Sequence, residues 1–360
     1  MPKTIAITPS WYWPESVDRV AGIPPFAVHE LCVLRHARDK ADQPALIGDQ
    51  ALTFGQLAER ISSEAPTAAP VTLSGEPTVE AVVALLNALA RGTRISLESG
   101  TGATGTEASQ TPINAEQALD EPLVSIKGKG GIAAHSHRSL MAAAISLATF
   151  LQPDPQRAWL LSRPLDTWEG LVSLLLPLYL GSTVVIQSDA DAEAFTQAIS
   201  EHQPGYAFTD LALAVSSTRD AKRAVRKCRD VLNAMLLSTP GVFEPGDRAR
   251  VGKAYRCDAL TVYGLAETGV IFAAHPQWYV DESIGIPITN AHVVPADPRD
   301  SSPIQTLWEL VESAEVTVKG PSLMKGYEDR NDTDYLADGR FRTGVIASSD
   351  ANGMIYILPE

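Results

Sequence analysis

The stretch Trp168–Ser188, WEGLVSLLLPLYLGSTVVIQS, decides the fold class. Its apolar run through Leu180, closed by Gly181, reads as a buried helix with a C-terminal glycine. STVVIQS then reads as a strand with both faces covered. The apolar part, Leu171 to Ile186, is interrupted by Pro177 and Gly181 and is too short to span a bilayer. Working outward, RAWLLSRP before it is a strand, and DAEAFTQAISEHQPGYAFTD after it is a helix followed by a strand. VLNAMLLST and ALTVYG add two more apolar strands. Repeated strand–helix–strand units of this kind predict an α/β fold with layered, mainly parallel βαβ sheets.

The N-terminal part continues the pattern. PFAVHELCVLRHARDK has helical apolar spacing through Val28, Leu31, Val33 and Leu34. PALIGDQALTFGQLAERI reads as two short strands about a Gly48-Asp49 turn, then a helix capped by Thr53. TVEAVVALLNALARG is a helix from the Thr78 cap to Gly92, and TRISLE a strand. Residues 1–25 read as an aromatic, Pro-rich arm that must pack on something, and residues 98–113 as a Ser/Thr/Gly-rich loop. From residue 285 to 360 short strands separated by turns predict a smaller, β-barrel-like region after an α/β lobe of residues 1–284.

The 360 residues carry a net charge of −14, which disfavours nucleic acid and anionic membranes as partners. Three distant cysteines, Cys32, Cys228 and Cys257, offer neither a metal spacing nor a disulfide framework. MPKTIAITPSWYWPE has no apolar h-region, so a cytoplasmic protein without a secretory signal is expected.

Four stretches occur in an informative order: LLLPLYLGSTVVI, TVYGLAETG, GIPI, and VTVKGPSLMKGYEDRNDT with DGRFRTG and NGMIYIL after it. Together they resemble the large N-terminal domain of the adenylate-forming superfamily, which comprises acyl- and aryl-CoA synthetases, peptide-synthetase adenylation domains and luciferases. The resemblance covers the chain from about Pro44 to its end. It implies activation of a carboxylic acid by ATP and Mg²⁺ to an acyl-adenylate, followed by transfer to a thiol of CoA or of a carrier's phosphopantetheine.

Carried over by residue, the resemblance makes Tyr263 the ring that stacks on adenine and Glu267 the catalytic acid that holds Mg²⁺. Gly264 lies between them; Ala266 stands where a hydroxyl residue usually touches the α-phosphate. Ser238, Thr239, Pro240 and Gly241 occupy the place of an adenine-contacting turn. Asp166 and Thr167 replace the aromatic–histidine pair near the acyl pocket, where Trp168 remains as a wall. Val345 stands in place of an aspartate that binds the ribose hydroxyls, a loss worth ~1.5–3 kcal/mol for a charged hydrogen bond.

VSIKGKGGIAAHSHRSL, Val124 to Leu140, lies at the phosphate loop and its following helix. It reads as a degenerate P-loop whose usual hydroxyl positions are held by Val124, Ile126 and Lys127, the usual lysine position being Gly130 or Gly131. Lys127 and Lys129 supply charge; Gly128, Gly130 and Gly131 offer either an amide nest for an anion or a plain Gly-rich turn. His135, Ser136 and His137 resemble a nucleophile–base group, yet the resemblance makes them helix-start residues. RDAKRAVRKCR, Arg219 to Arg229, is either a solvated helix face or a dock for CoA phosphates or an acidic carrier.

The resemblance implies two further departures: the superfamily's small C-terminal domain, with its lysine, is absent from this truncated sequence, and the unit between Leu97 and Val124 is reduced. Three functions follow as expectations. The first is a ligase-like protein that binds an acyl or nucleotide ligand with impaired or no autonomous adenylation. The second is an active AMP-forming ligase completed by a C-terminal domain in trans or beyond this sequence. The third is a non-catalytic interaction scaffold.

Overall fold

The computed structural model describes residues 13–63, 71–98, 118–188, 191–239, 244–304, 308, 310–330 and 334–359. The expectations for the first twelve residues of the arm, for the loop from residue 99 to 113 and for Pro240 and Gly241 fall outside these residues.

Three sheets organise the chain. The largest, of nine strands, runs in the order β13 (Ile286–Pro287), β12 (Gly269–Ala273), β11 (Asp258–Leu265), β10 (Ala234–Ser238), β9 (Tyr206–Asp210), β7 (Trp159–Leu161), β8 (Val184–Ile186), β1 (Pro44–Ile47) and β2 (Ala51–Thr53). From β11 to β1 every neighbouring pair is parallel, and only the edges are antiparallel. This is the sheet that the apolar strands predict: β7, β8 and β10 are buried at every residue because helices cover both faces.

The second sheet has five strands, β16 (Gly326–Tyr327), β6 (Ile132–His135), β5 (Val124–Lys127), β4 (Ile95–Glu98) and β3 (Val71–Ser74). The third is a four-stranded antiparallel sheet, β14 (His292–Ala296), β15 (Ala314–Lys319), β17 (Phe341–Ser349) and β18 (Ile355–Ile357). In β17 buried residues alternate with less buried ones, the period of a sheet with one face covered. The C-terminal part also returns two strands to the lobe: β13 joins the large sheet and β16 the second.

The α-helices among the described residues are α1 (Arg35–Asp39), which continues a π-helical turn Glu30–Leu34, α2 (Phe54–Ser63), α3 (Val79–Ala90), α4 (His137–Leu151), α5 (Trp168–Leu180), α6 (Ala192–His202), α7 (Leu211–Asp220), α8 (Lys222–Lys227) and α9 (Asp247–Tyr255). The expected caps form. Thr53 Oγ1 accepts the Gln56 amide at 3.2 Å, and Thr78 Oγ1 accepts that of Ala81 at 3.1 Å. Helices α4 and α5 are apolar almost all round, pack on one another and on β12, and form the centre of the core. The described part of the arm packs on the lobe: Asn290 holds the backbone of Ala21 through both amide atoms, and Trp13 meets Phe150 edge-on at 5.6 Å.

HSHRSL resolves into strand, cap and helix. His135 ends β6, Ser136 caps α4, and His137 is its first residue. Ser136 Oγ accepts the Ser139 amide at 3.2 Å while Ser139 Oγ accepts the Ser136 amide at 3.0 Å, a reciprocal capping box. Ser136 is fully buried in that role and is no nucleophile.

His137 is buried, and its Nδ1 accepts the Val28 amide at 3.3 Å. Burial, with a smaller push from His29, lowers its pKa from 6.5 to about 4; His135 and His275 are lowered to about 4 as well, mainly by burial. Between pH 6.5 and 4 the unfolded chain therefore binds protons that the folded chain refuses. Stability is full above pH 6.5 and falls as pH drops toward 4, by about 1.4 kcal/mol per pH unit for each such histidine. Urea unfolding across this range is expected to show that slope, and His137→Asn, an uncharged acceptor, to reduce it by one histidine's share.

Candidate functional site

A cleft of about 530 Å³ opens at the carboxyl ends of the central parallel strands, where an open α/β sheet presents its loops to a ligand. One wall is Tyr263 to Glu267, at the end of β11. A second is the turn of the β5–β6 hairpin, with Lys127, Gly128 and Lys129. The first turn of α5 contributes Thr167, Trp168 and Glu169, β17 contributes Gly344 to Ile346, and Thr239 and Ile357 to Pro359 complete the rim.

Glu267 is the most tightly held of these groups. It is 1% exposed. Its Oε1 accepts the Gly130 amide at 2.8 Å and is reached by the Tyr327 hydroxyl at 3.4 Å. Its Oε2 is buried with no hydrogen-bond partner among the described residues. A buried carboxylate oxygen left so costs free energy unless a cation or donor meets it, so the site fits a hard divalent ion with Glu267 as ligand. Behind it, buried His135 spans from Ala266 O, 2.6 Å from Nε2, to Ser139 Oγ, 3.1 Å from Nδ1. The histidine thus ties the Ala266–Glu267 turn to the cap of α4.

The Gly-rich stretch is a hairpin turn. Gly128 N donates to Gly131 O at 2.8 Å, and Gly130 N is taken by Glu267. Two of the amides that would have formed an anion nest are therefore already donated within the protein. The turn is also held from outside: Arg330 Nη1 donates to Gly130 O at 2.8 Å and Asp329 Oδ1 accepts the Ile132 amide at 2.9 Å. Tyr327, Asp329 and Arg330 lie within MKGYEDRNDT, a motif whose order was legible but whose contacts were not.

The remaining candidates divide. Thr167 lines the cleft but its hydroxyl is committed to capping α5, accepting from Gly170 N at 3.1 Å and donating to Pro164 O at 2.7 Å. Asp166, in the same turn, points instead against Gly75 after β3 and does not line the cleft, because the Thr167 cap fixes the direction of the turn. Ser238 is buried at the end of β10, behind Thr239. Gly130 and Gly131 line adjoining hollows. Val345 forms part of the wall, as a side chain that offers no hydrogen bond. The basic residues from Arg219 to Arg229 precede β10 and so lie at the opposite edge of the sheet from the cleft. Glu169 was not anticipated; its only signal was an acid in the first turn of an apolar helix, an ordinary complement to the helix dipole.

The parallel centre, the cleft at its carboxyl edge and the second sheet packed over α4 and α5 give the molecule the architecture of adenylate-forming enzymes. The chain belongs to the AMP-binding enzyme family, whose model matches residues 129–328, more than half of its length. It is 29% identical over 222 residues to 2-succinylbenzoate–CoA ligase of Bacillus licheniformis, a match covering 60% of this chain and 44% of that ligase. The chain thus spans less than half of that relative. o-Succinylbenzoate coenzyme A synthetase from Bacillus subtilis has a TM-score of 0.76 at 19% identity, over 91% of this chain and 78% of that one. That synthetase has also been solved with ATP and magnesium ion. A long-chain-fatty-acid-CoA ligase from Archaeoglobus fulgidus has a TM-score of 0.78 at 12% identity, over 97% and 86%. At these identities the three-dimensional likeness establishes the fold alone. Among the described residues no helix is long and apolar enough to cross a membrane.

A Cβ at Gly128 would overlap the Glu267 carboxylate, which is buried and bonded in place, whereas Gly22 faces open space. Gly128→Ala is expected to lower stability by about 1–3 kcal/mol in urea unfolding, and Gly22→Ala to leave it within about 0.5 kcal/mol.

Proposed function

We propose that the chain is the nucleotide- and acyl-binding part of an AMP-dependent acid–thiol ligase and that it adenylates weakly or not at all by itself. The observation that carries this reading is the buried, unpartnered Oε2 of Glu267 in a cleft shared with Tyr263, Lys127 and Lys129. Glu267 would hold a magnesium ion, whose charge offsets that of the phosphates. Tyr263 would lie along adenine, and the two lysines at the hairpin turn would meet the phosphates as point charges. The weak side of the reading is the ribose. Val345 offers it neither donor nor acceptor, and Ala266 removes a hydroxyl beside the α-phosphate.

A second reading is favoured by the seat of Ile357, Leu358 and Pro359 on the rim of the cleft. A further domain docked there would close the cleft, bring its own groups to the phosphates and make this chain one part of a working ligase. CoA or a carrier phosphopantetheine would then be the acceptor.

Thermal-shift titration of the full chain with AMP and with ATP, each with and without Mg²⁺, tests the first reading. Both nucleotides are expected to raise the melting temperature, ATP more so with Mg²⁺. Glu267→Gln keeps an acceptor for the Gly130 amide but loses the charge, so only the Mg²⁺-dependent part of the ATP shift should disappear. Indifference to every nucleotide would leave the scaffold reading. ATP–pyrophosphate exchange at ordinary enzymatic rates, without any added domain, would refute impaired adenylation.

A further inference from the structure

The first turn of α5 places a carboxylate in the wall of the cleft that the nucleotide does not require. Glu169 lines the cleft beside Trp168 and Thr239, with its side chain 13% exposed. Its cationic neighbour is Arg163, which follows β7, at 3.5 Å from Oε1. The same guanidinium stands 3.5 Å from Asp210 Oδ2, at the end of β9. Charge-assisted N–H···O bonds close to about 2.7–2.9 Å, so one arginine is divided between two acids and brings neither to full contact. Asp210 has a second occupation, since its Oδ1 caps α7 through the amides of Ala212 and Leu213. Glu169 has no comparable backbone partner on a neighbouring element among the described residues.

The charge count is the decisive point. Arg163 supplies one positive charge shared between the two carboxylates, of which Glu169 alone lines the cleft; the cations that border the same cleft, Lys127 and Lys129, belong to the hairpin turn. Burial raises the pKa of Glu169; the Arg163 charge and the Ser238 hydroxyl act in the opposite direction, and Asp210 adds to the rise. The protein thus holds, at some cost, an acceptor that an apolar residue could replace if only packing were needed. Trp168, its neighbour, turns its ring to Phe208 and to a small apolar hollow between α4 and α5, so beside this carboxylate the wall is aromatic and apolar.

We propose that Glu169 determines substrate specificity: the acid taken by this cleft carries a hydrogen-bond donor, a hydroxyl, amide or ammonium group, at the end away from its reacting carboxyl. The inference rests on the acyl-binding part of the proposed function. A plain alkyl or aryl acid would leave the carboxylate desolvated with only its long contact to Arg163, and an acid with a second carboxylate there would meet like charge. A site built around a buried polar group rejects an analogue that lacks its partner far more strongly than an apolar pocket rejects a missing methylene.

The test is calorimetric titration of the full chain, with and without AMP, against para-toluate, para-hydroxybenzoate, para-aminomethylbenzoate and 2-succinylbenzoate. The two donor-bearing acids are expected to bind about tenfold or more tightly than para-toluate, with 2-succinylbenzoate weakest. Glu169→Leu should abolish or reverse the preference. The near-isosteric Glu169→Gln should keep the preference for the hydroxyl and lose that for the ammonium, and it serves if the leucine variant does not fold. Equal binding of para-toluate and the donor-bearing acids, or a preference untouched by either variant, overturns the inference. So does the absence of binding by all four acids. Loss of AMP binding alone counts against the nucleotide reading, because the acid preference is measured separately without AMP.

Discussion

One carboxylate ties the three parts of the cleft together. Glu267 closes β11 of the large sheet, its Oε1 receives the Gly130 amide from the hairpin of the second sheet, and its backbone carbonyl receives the Met324 amide at 2.8 Å. Met324 leads into β16, which pairs with β6 and so returns to the same hairpin. Two sheets and the segment crossing between them therefore meet at one residue that is almost completely buried. A carboxylate so placed is costly unless its oxygens are satisfied. The Gly130 amide and the Tyr327 hydroxyl meet one oxygen, Arg330 holds the same turn through Gly130 O, and the other oxygen is buried with no partner among the described residues.

That arrangement explains why the Gly-rich stretch looks as it does. A turn that must pass within hydrogen-bond distance of Glu267 has no room for a Cβ at Gly128, and at Gly130 the Tyr327 ring fills the space. The glycines are thus explained by close packing in the resting hairpin, without any ligand. Lys127 and Lys129 are different: both border the cleft, and close packing does not account for their charge. Binding of an anion at the hairpin would have to compete with Glu267 for the Gly130 amide, or else use the lysines alone.

Much of the fold was legible because its signals are local. Val184 to Ile186 and Ala234 to Ser238 read as buried strands since both of their faces are covered, and Thr53 and Thr78 announce their helices by caps that form as expected. The Val124–Leu140 stretch read as a loop because glycines and lysines resemble phosphate loops in composition; the pairing of Val124 with His135 and of Lys127 with Ile132 makes it a hairpin instead. Tyr263, Glu267, Thr167 and Trp168 line one cleft. Glu169 and Asp166 show the limit. They lie three residues apart in a capped turn, and which of them faces the cleft depends on the Thr167 hydroxyl bonding Pro164 and Gly170. Sequence spacing does not carry that direction.

The electrostatics of the cleft limit what its occupant can be. The protein carries −14 overall, so a polyphosphate approaches against the global field and depends on local cations. Under the proposed reading Lys127, Lys129 and a metal at Glu267 supply them at the phosphate end, while Val345 supplies nothing to the ribose. Each charged hydrogen bond forgone is worth ~1.5–3 kcal/mol, or about ten- to a hundredfold in affinity. Nucleotide affinity would then rest on charge at one end and on the Tyr263 ring at the other, and would weaken steeply with salt. On the proposed reading the acyl wall carries the carboxylate of Glu169, which shares the single guanidinium of Arg163 with Asp210. On that reading the cleft would offer its cations toward the phosphates and Glu169 toward the acyl tail. An occupant with negative charge at one end and a donor at the other suits both ends, and a uniformly anionic one suits only the first.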